Sequence, residues 1–127
     1  MHIVRVDPVR KLIDVKLTGF FEADQVPPVA LAVRDAIRSL GHAAGRHCTL
    51  YDVSEADISP GPTIMAIAAA FADPAFHAIR AERVAFVATS ALARLQIQRL
   101  RSGREDIAIF ADRETALAWL FERRAAA

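Results

Sequence analysis

The sequence predicts an α/β fold, a mixed and mostly parallel five-stranded sheet carrying about four helices. Three observations predict it. Apolar runs such as Val84-Ala85-Phe86-Val87-Ala88 and Ile107-Ala108-Ile109-Phe110 have the unbroken hydrophobicity of strands covered on both faces. Between them lie segments whose apolar residues recur at steps of three and four, the helical period. The two kinds alternate in the order ββαβαβαβα, which favours right-handed βαβ crossovers after a first antiparallel hairpin.

Each element has its own signal. His2 to Asp7 alternates, and Lys11 to Phe20 does so more clearly, with Leu12, Asp14, Lys16 and Thr18 opposite Ile13, Val15 and Leu17. Asp7-Pro8-Val9-Arg10 is a turn sequence, and Gly19 is expected to end the second strand. A helix is expected from Asp24 to Leu40. Asp24 would cap it, Pro27 and Pro28 fall in its first turn, and Val26, Ala30, Val33, Ile37 and Leu40 form its apolar face. Gly41 is a stop. Cys48 to Val53 reads as a central strand and Ser54 to Pro62 as a loop. Ser59 or Gly61 would cap the next helix, Thr63 to Ala72, with a proline at its first position. Asp73-Pro74 breaks it and caps a further piece reaching Ala81. Thr89 or Ser90 would cap a helix from Ala91 to Arg101. Asp112 would cap the last one, Glu114 to Arg124, striped by Leu117, Leu120 and Phe121.

The 127 residues make one domain, 1–127, long enough to hide roughly two-thirds of the chain's surface. An apolar fraction of 54% with 24% charged residues is globular, not disordered. A net charge of +1 argues against a dedicated nucleic-acid binder. A single cysteine excludes an internal disulfide and any multi-cysteine zinc site. No apolar run reaches the roughly 18 residues of a transmembrane helix, and Met1-His2-Ile3-Val4-Arg5 lacks the apolar core of a secretory signal. The 26 alanines, and 14 arginines against 2 lysines, suggest a GC-rich bacterial genome. A cytoplasmic protein is expected.

Four stretches carry a resemblance: Leu17-Thr18-Gly19-Phe20, Leu50-Tyr51-Asp52-Val53-Ser54, Arg83-Val84-Ala85-Phe86-Val87, and the long Phe110-Ala111-Asp112-Arg113-Glu114-Thr115-Ala116-Leu117-Ala118-Trp119-Leu120. They are spread from Leu17 to Leu120, so the match covers nearly the whole chain. The sequence resembles the SpoIIAA-like family of STAS domains and anti-sigma factor antagonists, and more closely its bacterial STAS/Sec14-like branch. The resemblance implies a β-α superhelical fold and a binding or regulatory role without catalysis. In the anti-sigma factor antagonists a serine that starts a helix after the Asp-ending strand is phosphorylated. This sequence keeps Asp52 and Ser59, but Ile58 precedes the serine and Pro60 follows it. Ser59 is therefore expected to be a cap and not a phosphoswitch.

Asp52, Ser54, Asp57, Ser59, Gly61 and Thr63 gather after a strand's C-terminal end, where α/β sheets bind ligands. The same residue types also form turns and caps. From His47 to Ile79 there are four acids and no Lys or Arg. From Arg83 to Arg104 there are five arginines and no acid. Arg94, Gln98 and Arg101 share one helical face, with Leu92 and Leu95 expected to turn inward beside it. That basic face could bind an acidic partner, an anionic lipid or a second copy in a homodimer, or be a solvated surface. His2, His42, His47 and His77 have no ligand spacing, so no metal is expected. Cys48 reads as a buried apolar residue and Trp119 as packing. No nucleophile–base pair, Gly-rich phosphate loop or cofactor motif occurs, so no cofactor and no enzyme activity are expected. The sequence thus reads as a regulatory module engaging a protein partner through the Asp52–Thr63 loop and its helix. The alternative is a Sec14-like carrier holding a small apolar ligand or lipid in a cavity under the alanine-rich helix around Ala66, Ala68, Ala69 and Ala70.

Overall fold

The computed structural model describes residues 1–58, 61–101 and 103–126. Strands β1 (His2–Asp7), β2 (Leu12–Phe21), β3 (Cys48–Ile58), β4 (Arg83–Val87) and β5 (Ile107–Phe110) form one sheet in chain order. β1 and β2 are an antiparallel hairpin, and every later neighbour is parallel. The helices are α1 (Val26–Arg38), α2 (Pro62–Ala72), the single turn α3 (Pro74–His77), α4 (Ala91–Arg101) and α5 (Arg113–Ala126).

Strand alternation divides the core in two. Ile13, Val15, Leu17, Val53, Val84 and Phe86 point to one face, where α1, α2 and α4 pack. Leu12, Cys48, Leu50, Ala85 and Val87 point to the other, which Ala116 and Leu120 of α5 cover. The hairpin turns where expected, with Asp7 Oδ1 accepting the Arg10 N–H at 3.1 Å. Lys11 closes it at φ +54°, the left-handed region.

The helix starts differ in detail from expectation. Asp24 does not cap α1. It lies within a 3-10 turn, Ala23–Gln25, closed by a capping box in which the Gln25 side chain accepts the Glu22 N–H at 2.7 Å. α1 ends at Arg38, and Val29, not Ala30, completes its buried stripe. Gly61 is the N-cap of α2, at φ +74°, with Pro62 in the first turn. Asp73 breaks α2 and caps α3, which stops at His77 well short of Ala81. Ser90 and Asp112 cap α4 and α5 through Ala93 N–H and Thr115 N–H.

The largest departure is in β3. The segment after Val53 is strand through Ile58, paired with β2. The pairing runs Lys16 to Asp52 and then Thr18 to Glu55, so β3 carries one extra residue. That is a β-bulge. Its consequence is visible in the sequence: Val53, Ala56 and Ile58 all face the α1–α2 layer, although Val53 and Ala56 are three apart. Without the bulge, Glu55 and Asp57 would face the core. Gly19 lies inside β2 for a related reason, since its positive φ sits beside this irregular stretch. Deleting Ser54 should therefore restore simple alternation with every later side chain on its present face. Urea unfolding is expected to show a folded protein weakened by only about 1–3 kcal/mol, the value of the hydrogen bonds Ser54 makes. Deleting Tyr51 should instead turn Asp52 into the aromatic core and leave no cooperative transition.

Candidate functional site

Asp52 points to the α5 side of the sheet, in the row holding Lys16 and Val87. The bulge brings Ser54 back onto it. Ser54 Oγ donates to Asp52 Oδ1 at 2.6 Å and Ser54 N–H donates to the same oxygen at 3.0 Å. Around this pair lies a lattice of charges that the sequence pattern did not single out. Arg113, in the first turn of α5, makes a two-pronged pair with Asp14, one prong at 3.0 Å. Its guanidinium also feels the Asp52 carboxylate. Lys16 pairs with Glu55 at 2.6 Å, and that contact raises the lysine above its ordinary pKa. The alternating polar face of β2 was the available signal for Asp14 and Lys16. Their partners depended on register, which alternation does not specify.

The remaining members of the predicted loop divide. Asp57 is exposed at the end of β3, and Gly61 is exposed at the start of α2. Thr63 is buried within the first turn of α2. Ser59 lies outside the described residues. Asp52 and Ser54 are thus strand residues already bonded to one another, whereas Asp57 is exposed on the face of β3 away from α2, and Gly61 with the outer side of α2 is exposed on the other.

Beneath α2 the sheet presents aromatic packing. Tyr51 stacks on Phe86 at 5.1 Å between centroids and meets Phe71 edge-on at 6.1 Å. Burial pushes the Tyr51 phenol above its usual range. A cavity of about 70 Å³ lies among Leu17, Val33, Tyr51, Ile67, Phe86 and Ile97. Outside, α1 and α2 flank an open groove of about 560 Å³ with Ala30, Ala66, Ala69 and Ala70 along it and Arg34 and Asp73 at its polar positions. Of the alanines expected over a cavity, Ala70 lines it, but Ala68 and Ala69 face outward.

No protein-family model and no curated protein matches this sequence. Solved structures do match. An uncharacterized protein of the DUF3478 family from Shewanella loihica PV-4, described as having a SpoIIAA-like fold, superposes with a TM-score of 0.68 at 16% identity over 94% of this chain and 93% of that one. The anti-sigma factor antagonist SpoIIAA in its unphosphorylated form superposes with a TM-score of 0.62 at 10% identity over the whole of both chains. The chain has a SpoIIAA-like fold.

On this SpoIIAA-like fold the arginine helix differs from its sequence reading. Leu92 and Leu95 do not turn inward. They are 59% and 50% exposed, and α4 buries Gln96 and Ile97 instead. The helix is anchored at its N-terminus by Ser90, and Ile97 is the residue that rotation brings over β4 and β5. The arginines are also less free than their run suggests. Arg101 Nε donates to the Arg104 carbonyl at 3.0 Å, and Arg104 clasps Asp106 at 2.6 and 3.1 Å. Arg83 lies over the Trp119 ring, 4.5 Å from its centroid, and donates to the Trp119 carbonyl at 2.6 Å. Arg94, Gln98 and Arg99 are left facing outward. Trp119 and Phe110 pack together, and Cys48 is buried with Sγ on the Leu120 carbonyl at 3.4 Å. His47 is buried, whereas His2, His42 and His77 are exposed. Among the described residues no three His, Cys, Asp or Glu side chains gather for a metal ion.

The α5 cap makes a pH-dependent contribution. The Thr115 backbone N–H and its hydroxyl hold the Asp112 carboxyl below its ordinary range. A depressed carboxyl stabilises the fold fully above its unfolded pKa of about 3.9 and loses that contribution as pH falls through the folded value. The stability difference between wild type and Asp112→Ala is therefore expected to be constant above about pH 5 and to shrink below about pH 4. Urea titrations at a series of pH values would measure it.

Proposed function

We propose that this chain is a non-enzymatic regulatory module that engages a protein partner where β3 ends and α2 begins. One observation carries the reading. α2 spans Pro62–Ala72 and contains no charged residue, and its single hydroxyl, Thr63, is buried. Yet Met65 is 74% exposed, and Ala68, Ala69 and Ala72 are exposed with it. A helix apolar all round is normally buried all round. Here half of it faces water, with the exposed Asp73 at its C-terminal end, as a docking helix would. The name anti-sigma factor antagonist, borne by one protein of the same fold, describes a protein that acts on another protein. The alanine-rich composition and the arginine excess support a bacterial setting. The lone buried Cys48 is compatible with a reducing cytoplasm.

The lipid-carrier alternative is weaker on enclosure, because the groove of about 560 Å³ along Ala66, Ala69 and Ala70 is open and the closed space under α2 is small. Pockets for small ligands are about 300–1,000 Å³, and the cavity under α2 is about 70 Å³. The exposed arginines of α4, Arg94 and Arg99, with the polar Gln98 beside them and the half-buried Arg101 behind, are a secondary surface for an acidic partner.

A photo-crosslinking residue in place of Met65, in the native host, tests the proposal. It is expected to give one discrete protein adduct, with none from the same residue in place of the exposed Arg38. No adduct from either position, or equal adducts from both, would count against it.

A further inference from the structure

The open edge of β1 carries an inference independent of the α2 surface. Met1 and Thr18 exchange both backbone bonds, Met1 N to Thr18 O and Thr18 N to Met1 O, each at 2.9 Å. In an antiparallel pair such exchange recurs at every second residue. With the observed register, Ile3, Arg5 and Asp7 spend their backbone groups on Lys16, Asp14 and Leu12. The N–H and C=O groups of His2, Val4 and Val6 therefore point away from the sheet. β1 ends the strand order, so no other strand takes them. The edge carries neither the lysine nor the proline that commonly guards such strands, and its branched side chains Ile3 and Val6 are 41% and 38% exposed.

We propose that β1 pairs edge to edge with β1 of a second copy, about a two-fold axis at Val4. That antiparallel register sets Val4 against Val4 of the second copy and His2 against its Val6. All three outward residues are then used, each pair exchanging both bonds. On the other face Ile3 lies beside Arg5 of the second copy, which covers an exposed apolar side chain with an arginine stem. A shift of two residues one way brings Arg5 opposite itself. A shift the other way leaves Val6 unpaired. The strand is thus most complementary to itself in one register, and a two-fold axis closes the assembly. Pairing β1 with β5 of another copy would be head-to-tail and would not close as a dimer.

Sedimentation velocity across a concentration series, with amide exchange on the same samples, tests this. Wild type is expected to dimerise. The Ile3, Arg5 and Asp7 amides should be protected at every concentration, and the Val4 and Val6 amides only where the dimer is populated. Val4→Pro removes an outward N–H that no bond within the monomer uses. It should keep the monomer's thermal midpoint, measured in dilute solution, and stay monomeric where wild type is dimeric. Arg94→Glu/Arg101→Glu should leave the dimer intact. A wild type that is monomeric throughout, with Val4 and Val6 amides exchanging freely, would overturn the proposal. So would a dimer that survives Val4→Pro or is lost in the arginine variant. The exchange pattern is read on wild type, so the test stands even if the proline variant folds poorly.

Discussion

Replacing Phe86 with alanine is expected to destabilise the protein by about 3–5 kcal/mol, the range for deleting a buried aromatic side chain. Phe86 lies on β4 with neighbours on both sides. Its ring stacks on Tyr51 at 5.1 Å and meets Phe71 at 6.4 Å. It also borders the cavity of about 70 Å³. A second void beside an existing one has few atoms able to move in, so relaxation recovers little. Domains of this size have about 5–15 kcal/mol of total stability, so the variant should be marginal at 37 °C. Urea denaturation with a shared slope would give the value directly. A loss under about 1 kcal/mol would mean that the aromatic cluster closes over the gap and is not the rigid centre of the helical face.

The second large effect is on binding. Met65→Asp should leave stability within about 0.5 kcal/mol, because the side chain is 74% exposed and makes no buried contact that aspartate would break. Affinity for the crosslinked partner, once identified, should fall by roughly 100-fold, as for loss of an apolar anchor worth about 2–3 kcal/mol at an interface centre. A charge on the exposed stripe of an otherwise uncharged helix would have to be desolvated on docking. Arg38→Asp, exposed on α1, serves as the control and should bind normally. Equal affinities for the two variants would remove α2 from the interface.

Much of the architecture was legible before any coordinates. The apolar runs of β4 and β5 and the periodicity of α1 were sufficient for element type, and the alternation of types was sufficient for a parallel sheet. Local chemistry placed the caps Asp73, Ser90 and Asp112 within their own turns, because a cap bonds two or three residues along the chain. The site was less legible. Asp52 was expected to end a strand and Ser54 to open the loop after it, whereas both belong to one bulged strand. A run reading Val-Ser-Glu-Ala-Asp-Ile does not alternate cleanly, and the bulge that repairs it exists only against β2.

The direction in which α4 faces was beyond the sequence for a similar reason. Its leucines and arginines form equally regular stripes, and a helix with two candidate faces is oriented by what it packs on. Ile97 and the small Ala93 fit the sheet beside β5, which turns Leu92 and Leu95 to water. By itself the sequence determined the elements, their order and their local ends, since propensity, periodicity and capping act over a few residues. Register, the bulge, the Arg113–Asp14 pair across 99 residues and the outward faces of α2 and α4 were decided by tertiary structure. Each depends on which distant surface an element meets, and the free energy of that meeting is absent from any short stretch of chain.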